Sequence, residues 1–258
     1  MGVTPTPDVV ELTEPEPGIA LVTMTDRAHR NAFSPALVAG LRAAFTAART
    51  AGHRVVVLTG YGSYFSTGGT REGLLAIQDG SSRFTDVDLY ALALECELPV
   101  VCAMQGHAIG GGLALGLFGD FAVLSRESVY TANFMDFGFT PGMGATLVLP
   151  AKLGAVLGTE LLATARRYRG AELAARGVPY PVVPRGRVLP EAMELARSLA
   201  DKPPAAMRAL KAHLARPLRE ALPATIEREL ALHEATVHAD DVRRRVLDHF
   251  GEARGVGR

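Results

Sequence analysis

The chain has 258 residues, of which 48% are hydrophobic and 21% are charged, a balance that is typical of a globular protein and not of a disordered one. Lys plus Arg and Asp plus Glu are equal at 27 each, so the formal net charge is zero. A neutral chain has no global field that would attract nucleic acid or an anionic membrane, and we expect neither as a partner.

The cysteines and the first residues bear on the cellular compartment. Cys96 and Cys102 form neither a metal-ligand spacing nor a disulfide framework, so we expect no metal site and a reducing compartment. Residues 1–18 are acidic and Pro-rich, without the basic and apolar segments of a secretory signal, and no apolar stretch is long enough to span a membrane. We therefore expect a cytoplasmic protein.

Strand and helix patterns alternate from the start of the chain. Residues 19–25 and 54–59 are short and rich in β-branched side chains, which predicts strands. The residues between them, 34–51, predict a helix with Ser34 as the N-cap and Pro35 at the first helical position. A strand, a helix and a strand in this order are typical of a βαβ unit.

The rest of the chain divides into two parts. Up to about residue 125 the alternation continues, with helices predicted over 71–78, 86–97 and 110–119 and strands over 99–104 and 121–125. Beyond residue 141 helices dominate, over 192–201, 205–215 and 224–250, with Pro203–Pro204 and Pro217 as predicted breaks. The sequence thus predicts an α/β core over 1–190 and a helical region over 191–258.

Two glycine-rich turns lead from a strand into a helix, at residues 66–70 (STGGT) and 109–112 (IGGG). Peptide N–H groups at a helix N-terminus lack intrahelical partners and favour negative charge. Two such turns side by side would form an oxyanion hole for a thioester enolate. Neither turn fits a Walker loop or a dinucleotide-binding fingerprint. Each turn alone is explained by ordinary turn chemistry, so the hypothesis depends on the pair.

Four segments carry a resemblance to a known family: 30–33 (RNAF), 65–69 (FSTGG), 106–112 (GHAIGGG) and 140–144 (TPGMG). In this order and spacing they resemble the enoyl-CoA hydratase/isomerase (crotonase) family over essentially the whole chain. The resemblance implies the α/β crotonase fold, a spiral core of repeated ββα turns followed by a helical C-terminal trimerisation region. It also implies a homotrimer or a hexamer in which the C-terminal helices pack on a neighbouring subunit.

The same resemblance implies how the site binds a thioester. The N–H groups of Gly69 and Gly111 would form the oxyanion hole, with Gly68 in the substrate-binding turn beside them. The backbone around Arg30 and Ala32 would line the path of the adenine or the pantetheine.

Two departures from the family pattern argue against hydration. Hydratases of the family place one glutamate after the triple glycine and another before the Pro-Gly motif, and here these positions are Ala114 and Phe134. Neither side chain can transfer a proton, so addition of water to a C=C bond is not expected. Asp136, two positions away from the second site, is a possible substitute.

A narrower resemblance fits these departures. Residues 68–78, 125–134 and 138–146 are similar to the decarboxylases of polyketide β-branching cassettes. This implies loss of CO2 from a 3-methylglutaconyl thioester on an acyl carrier protein, which gives a 3-methylbutenoyl product. That subgroup places a histidine on the C-terminal helix, matched by His233, and a lysine after the first turn, where this chain has Arg83. Arg83 keeps the positive charge of that lysine, but its planar guanidinium, a fork of parallel donors, replaces the compact ammonium group.

The expected roles follow from this chemistry. Arg83 would bind the leaving carboxylate and His233 would protonate the dienolate, in a pocket made apolar by Ala114 and Phe134. Tyr90 is a further candidate for the pocket wall. We expect no metal or redox cofactor, because the thioester, carried on phosphopantetheine or CoA, is itself the electron sink.

Simpler explanations and other functions remain open at this stage. His233 could be an ordinary helix histidine, Arg83 a solvated loop cation and His107 part of a wall. An acidic carrier protein needs a basic patch, for which the candidates are Arg243–Arg245, Lys211, Arg216 and Arg219. The alternative functions are an acyl-CoA isomerase or lyase that uses Asp136 or His233 as a base, and an inactive scaffold subunit.

Overall fold

The computed structural model describes residues 9–252. Part of the segment 1–18, for which no secretory signal is expected, therefore lies outside the described residues. The outer ends of the two predicted regions, 1–190 and 191–258, also lie outside them. The strands are β1 Val10–Glu16, β2 Ile19–Met24, β3 Val55–Thr59, β4 Tyr64–Ser66, β5 Val100–Met104, β6 His107–Ile109, β7 Phe121–Ser125, β8 Val129–Thr131, β9 Tyr168–Arg169 and β10 Val182–Val183. The helices are α1 Pro35–Thr50, α2 Arg71–Gln78, α3 Leu92–Glu95, α4 Gly111–Leu117, α5 Ala145–Leu153, α6 Ala155–Thr164, α7 Gly170–Ala175, α8 Arg185–Ala200, α9 Pro204–Val237 and α10 Asp240–Glu252.

The strands form two sheets. The larger has the order β1-β2-β3-β5-β7-β10, antiparallel between β1 and β2 and parallel elsewhere. The smaller has the order β4-β6-β8-β9, with β4, β6 and β8 parallel. Because β4 and β6 are parallel neighbours, the turns that follow them leave the same edge of the small sheet.

Both faces of the large sheet are buried, which explains the continuous apolar runs of its central strands. In β3, Val56 and Leu58 point into the main core, while Val55 and Val57 pack on the opposite face. Helix α8 covers that second face with Val188, Ala192 and Ala196 among others. The predicted strands over 19–25 and 54–59 and the helix between them are confirmed, including the cap that Ser34 Oγ provides by accepting from Leu37 N.

The helix predicted over 86–97 is wrong in its first half. Residues Phe84–Asp86 form one 3-10 turn and the α-helix begins only at Leu92. The carboxylate of Asp86 accepts from the backbone N of Arg83 at 2.8 Å, and Asp88 has a left-handed φ of 44°. Asp86 therefore caps a turn that begins upstream, and the left-handed residue stops a helix from continuing.

The break predicted at Pro217 is also wrong, because α9 runs through Pro217 and Pro223. Both prolines are exposed, so each removes a backbone hydrogen bond only on the solvent side of the helix. The opposite side of α9 is held by a buried stripe: Lys211, Ala215, Leu222, Thr225, Glu229, His233 and Val237. The chain breaks instead at His238 and Ala239, before α10.

Helix α9 packs on the core of its own chain, whereas the family resemblance implied that the C-terminal helices pack on a neighbouring subunit. Lys211 is buried, with its Nζ 2.8 Å from Asp120 Oδ2 and bonded to the carbonyls of Leu98 and Ala93. Arg219 donates to Leu94 O at 2.6 Å. The prediction that Lys211 belongs to an exposed basic patch for a carrier protein is therefore wrong, because Lys211 is buried and anchors α9.

The described residues contain no helix that is both long and apolar enough to cross a membrane. They contain no group of three or more histidine, cysteine or carboxylate side chains placed to hold a metal ion. The α/β core followed by long C-terminal helices agrees with the fold class predicted from the sequence.

Candidate active site

The first glycine turn connects β4 to α2. Gly68 has a φ of +79°, which favours glycine, and its carbonyl accepts from Phe33 N at 2.7 Å. Thr70 caps α2, accepting from Gly73 N at 3.0 Å. Within residues 9–252 the N–H of Gly69, just before this cap, makes no hydrogen bond. It is therefore available as a donor, as the oxyanion hypothesis requires.

The second glycine turn connects β6 to α4. Gly110 has a φ of +53° and its N–H donates to Thr131 O at 2.8 Å. Gly111 is the first residue of α4, so its N–H points out of the helix N-terminus without a carbonyl one turn back in that helix. A Cβ on Gly112 would lie 2.3 Å from Ser66 O, so only glycine lets α4 approach β4 this closely.

The two turns are in direct contact. A methyl group placed on Gly68 would lie 2.7 Å from Ile109 O and 3.2 Å from Gly111 N. Gly68, Gly69 and Gly111 thus lie close together, because the N-termini of α2 and α4 adjoin. An arrangement of this kind can stabilise negative charge on a carbonyl oxygen without a metal or a charged side chain.

The segment after β2 holds the first turn in place. Asn31 is fully buried at a φ of 55°, and its side chain donates to Met24 O and Phe65 O and accepts from Asp26 N. Ala32 forms a bridge with Gly68. Arg30 is exposed, with its guanidinium 5.5 Å from the ring centre of Tyr64. Arg30 and Ala32 therefore lie beside the first turn, where the pantetheine path was predicted.

His233 lies on the buried stripe of α9, between two aromatic rings. Its ring centre is 5.2 Å from that of Phe84 and 4.9 Å from that of Phe139. Only 4% of the residue is exposed, and its Nδ1 makes no hydrogen bond within the described residues. Burial lowers the pKa of His233 to about 4, so the imidazole is neutral near pH 7.

Arg83 lies at the rim of this region and not inside it. Its side chain is 61% exposed, and its Nε is 3.6 Å from Glu234 Oε1, next to His233 in the sequence. The residue that enters the aromatic cluster is its neighbour Phe84. Glu234 is shared with His238, whose Nε2 lies 3.1 Å from Glu234 Oε2; the carbonyl of Gln78 and then this carboxylate raise the pKa of His238.

The loop before α5 joins the histidine to the second turn. Phe139 contacts His233, and a methyl group on Gly142 would lie 2.9 Å from Phe84 Cδ1. Further along, Met143 Cγ lies 3.5 Å from the position of a Cβ on Gly111. The glycine turns and the histidine are thus two walls of one region, linked through this loop.

The two positions that the family resemblance matches to the hydratase glutamates are apolar. Ala114 is fully buried, and Phe134 is 8% exposed with its ring edge 4.0 Å from the position of a Cβ on Gly110. Asp136 is exposed, and its carbonyl accepts from Arg245. Its carboxylate therefore does not replace the missing acid and base.

Tyr90 and His107 are less closely tied to the site. Tyr90 is buried, and burial together with the carboxylates of Asp88 and Glu229 raises its pKa. His107 accepts from Val129 N at 2.9 Å through its Nδ1, so it is part of the wall of the small sheet. Burial is the main cause of its lowered pKa.

Sequence reasoning missed a buried carboxylate, Glu229, one turn before His233 on α9. It accepts from Gly144 N at 2.7 Å, from Thr146 N at 2.8 Å and from Thr146 Oγ1 at 2.6 Å. Burial raises its pKa against the effect of these hydrogen bonds. Because both of its carboxylate oxygens accept hydrogen bonds, Glu229 caps α5 and fixes the loop before it. The sequence signal that could have found Glu229 is its spacing of four residues from His233, which places both on one face of a helix.

Comparison with known proteins identifies the family of this chain. The profile of the Enoyl-CoA hydratase/isomerase family matches residues 14–256. Bacillaene synthase decarboxylase PksI from Bacillus subtilis (strain 168) is 55% identical over 247 residues, which cover 95% of this chain and 99% of that protein.

Two solved structures are similarly close. One, from work on a dehydratase/decarboxylase enzyme couple involved in polyketide β-branching, is 56% identical with a TM-score of 0.91 and covers 92% of this chain and 94% of its own. The decarboxylase domain of CurF from Lyngbya majuscula is 44% identical with a TM-score of 0.90, covering 94% of this chain and 100% of that one. The chain therefore belongs to the enoyl-CoA hydratase/isomerase (crotonase) family.

Proposed function

We propose that this protein is a lyase that decarboxylates a 3-methylglutaconyl thioester in polyketide β-branching. Relatives that are 55% and 44% identical over nearly the whole chain are named decarboxylases. The structural observation that carries the proposal is the contact between two glycine turns, in a site where Ala114 and Phe134 replace the carboxylates of a hydratase.

The reaction balances without an added oxidant or reductant. The bond between C4 of the acyl chain and the carboxyl carbon breaks, CO2 leaves, and the electron pair passes through the conjugated C=C bond onto the thioester oxygen. A proton then adds to carbon and gives the 3-methylbutenoyl thioester. The N–H groups of Gly69 and Gly111 stabilise the charged oxygen, and one such donor contributes about 3–4 kcal/mol to lowering the barrier.

His233 is the proton donor in this scheme, and its burial sets a condition on that role. With a pKa of about 4, the free enzyme holds a neutral imidazole, which is a poor acid near pH 7. A substrate carboxylate in the same apolar surroundings raises this pKa, because an opposite charge favours the imidazolium. Binding of the carboxylated substrate therefore favours protonation of His233, and this proton is later transferred to the dienolate.

Arg83 binds the leaving carboxylate from the rim. Its pair with Glu234 is exposed and 3.6 Å long, and such surface pairs contribute only about 0–1 kcal/mol. The guanidinium can therefore leave Glu234 for a carboxylate in a drier environment. A fork of parallel donors also suits a planar carboxylate better than a single ammonium does.

The thioester is delivered on the phosphopantetheine arm of an acyl carrier protein, and the enzyme itself uses no cofactor. Arg27 and Arg30 support this assignment: both are exposed beside the first turn and lie over the rings of Tyr61 and Tyr64. Thr67 Oγ1 bonds to Arg30 O at 3.2 Å, which ties this basic surface to the turn of Gly69. An acidic carrier protein is complementary to such a surface.

The assembly is a homotrimer or hexamer in the cytoplasm. Leu210 and Leu214 support a subunit contact, since they lie one turn apart on α9 with 51% and 67% of their surfaces exposed. The isomerase alternative loses one of its two candidate bases, because Asp136 is exposed. The scaffold alternative gives no reason for two glycine turns with available N–H groups.

Mass spectrometry of a 3-methylglutaconyl carrier protein incubated with the enzyme tests the proposal. We expect the acyl group to lose one CO2, slowly with His233→Ala and at the wild-type rate with His213→Ala, an exposed control on the same helix. An unchanged acyl mass with the wild type would reject the decarboxylase and favour the isomerase or the scaffold. The same acyl group on N-acetylcysteamine separates chemistry from docking, since Arg27→Glu should slow only the carrier-bound reaction.

A further inference from the structure

Three buried side-chain polar atoms within residues 9–252 make no hydrogen bond: Thr140 Oγ1, Arg185 Nε and His233 Nδ1. Arg185 begins α8, which covers the far face of the large sheet. The other two belong to the region already described. A buried polar atom without a partner is rare and destabilising, so two on segments that contact each other indicate a site where a ligand supplies the partners.

Thr140 belongs to the loop whose residues Phe139 and Met143 contact His233 and the second glycine turn. The preceding residue, Phe139, contacts the His233 ring. The backbone N–H of Thr140 donates to Thr236 Oγ1 at 3.2 Å. Thr236 Oγ1 in turn lies 3.2 Å from His233 O. Three residues further along the chain, Met143 packs against Gly111. Helix α9 thus holds the Thr140 backbone beside His233 while the Thr140 hydroxyl remains without a partner.

The chemistry of the surroundings limits what this hydroxyl binds. The rings of Phe84 and Phe139 make the surface around His233 apolar. The thioester oxygen of the proposed substrate belongs at the N–H groups of Gly69 and Gly111, which leaves its carboxylate as the remaining polar group. A hydroxyl that donates to a carboxylate in apolar surroundings makes a charge-assisted hydrogen bond, stronger than a neutral one.

We infer that Thr140 Oγ1 donates a hydrogen bond to the substrate carboxylate on the inner side, while Arg83 approaches it from the rim. Thr140 is then a specificity-determining residue that selects carboxylated acyl groups. This inference rests on the proposed decarboxylase function and adds to it the residue that recognises the leaving group.

The test measures binding without turnover, by isothermal titration calorimetry with two unreactive ligands. One is 3-methylglutaryl-pantetheine, which lacks the C=C bond needed for a dienolate, and the other is 3-methylbutanoyl-pantetheine, which lacks the carboxylate. For Thr140→Val we expect affinity for the first ligand to fall about tenfold or more, with the second unchanged. Thr140→Ser, which keeps the hydroxyl, should bind both ligands like the wild type.

Thermal unfolding of the same variants supplies the second measurement. Since a methyl group replaces a hydroxyl that has no partner, Thr140→Val should unfold at the wild-type temperature or above it. The control is Thr59→Val, because the buried Thr59 hydroxyl bonds to Ala103 O and Gln105 Oε1. This control should unfold at a lower temperature and bind both ligands normally.

Two results would overturn the inference: equal loss of affinity for both ligands in Thr140→Val, or a drop in its unfolding temperature like that of Thr59→Val. A wild type that prefers the carboxylated ligand but releases no CO2 from the unsaturated substrate would reject the proposed function and leave the role of Thr140 standing. A wild type without that preference would reject the role of Thr140.

Discussion

The buried, neutral His233 predicts a specific dependence of stability on pH. Its pKa is about 4 in the folded protein and near 6.5 in an unfolded chain. Between these values the unfolded state binds more protons, so the free energy of unfolding falls as pH falls through that window. The two pKa values give a loss of about 2 kcal/mol from about pH 7 to about pH 5, and about 3 kcal/mol once both states are protonated.

The assay is urea unfolding of the wild type and His233→Leu at both pH values. The leucine variant should lack this part of the pH dependence, so its free energy of unfolding should fall by about 2 kcal/mol less than that of the wild type. His213→Leu, on the exposed side of α9, should keep the wild-type dependence. Equal dependence in the wild type and His233→Leu, or an NMR titration of His233 near its ordinary pKa, would refute the reasoning.

Three further predictions concern the glycine turns, the rim and the anchor of α9. Gly68→Ala places a methyl group 2.7 Å from Ile109 O, so kcat should fall by about two orders of magnitude or more, as for loss of an oxyanion donor; an unchanged kcat would contradict the role of this turn. For Arg83→Met we expect a higher KM for the carboxylated thioester, with the KM of Arg83→Lys between those of Arg83→Met and the wild type; steady-state kinetics would count against the rim contact if both variants matched the wild type. Lys211→Met removes the buried ammonium that pairs with the partly exposed Asp120 carboxylate and donates to Ala93 O and Leu98 O, and should lower the free energy of unfolding by about 1–3 kcal/mol in urea titrations, whereas an unchanged free energy of unfolding would show that the pair does not anchor α9.

The glycine turns could be predicted from the sequence because their chemistry is local. A glycine between a strand and a helix is needed for positive φ or close approach, and both reasons apply here at Gly68 and Gly112. The alternation of strand and helix likewise placed β2, α1 and β3 within one or two residues. The family motifs placed these elements in one known arrangement.

The other wall of the site could not be predicted because it depends on contacts between distant parts of the chain. Phe84 and Phe139 meet His233 only because α9 continues through two prolines and lies on its own core. Neither the proline pattern nor the motif of Thr140 indicates a buried hydroxyl without a partner. Arg83 was expected in the pocket, and the structure places its side chain at the rim beside Glu234.

The central claim is that this site breaks a C–C bond and quenches the resulting dienolate. NMR of a 3-methylglutaconyl carrier protein labelled with 13C at the free carboxyl, incubated with the enzyme in D2O, tests it most directly. We predict that the label appears as CO2 and bicarbonate while the acyl product gains one deuterium on carbon. Retention of the label in the acyl chain, with or without addition of solvent across its C=C bond, would contradict it.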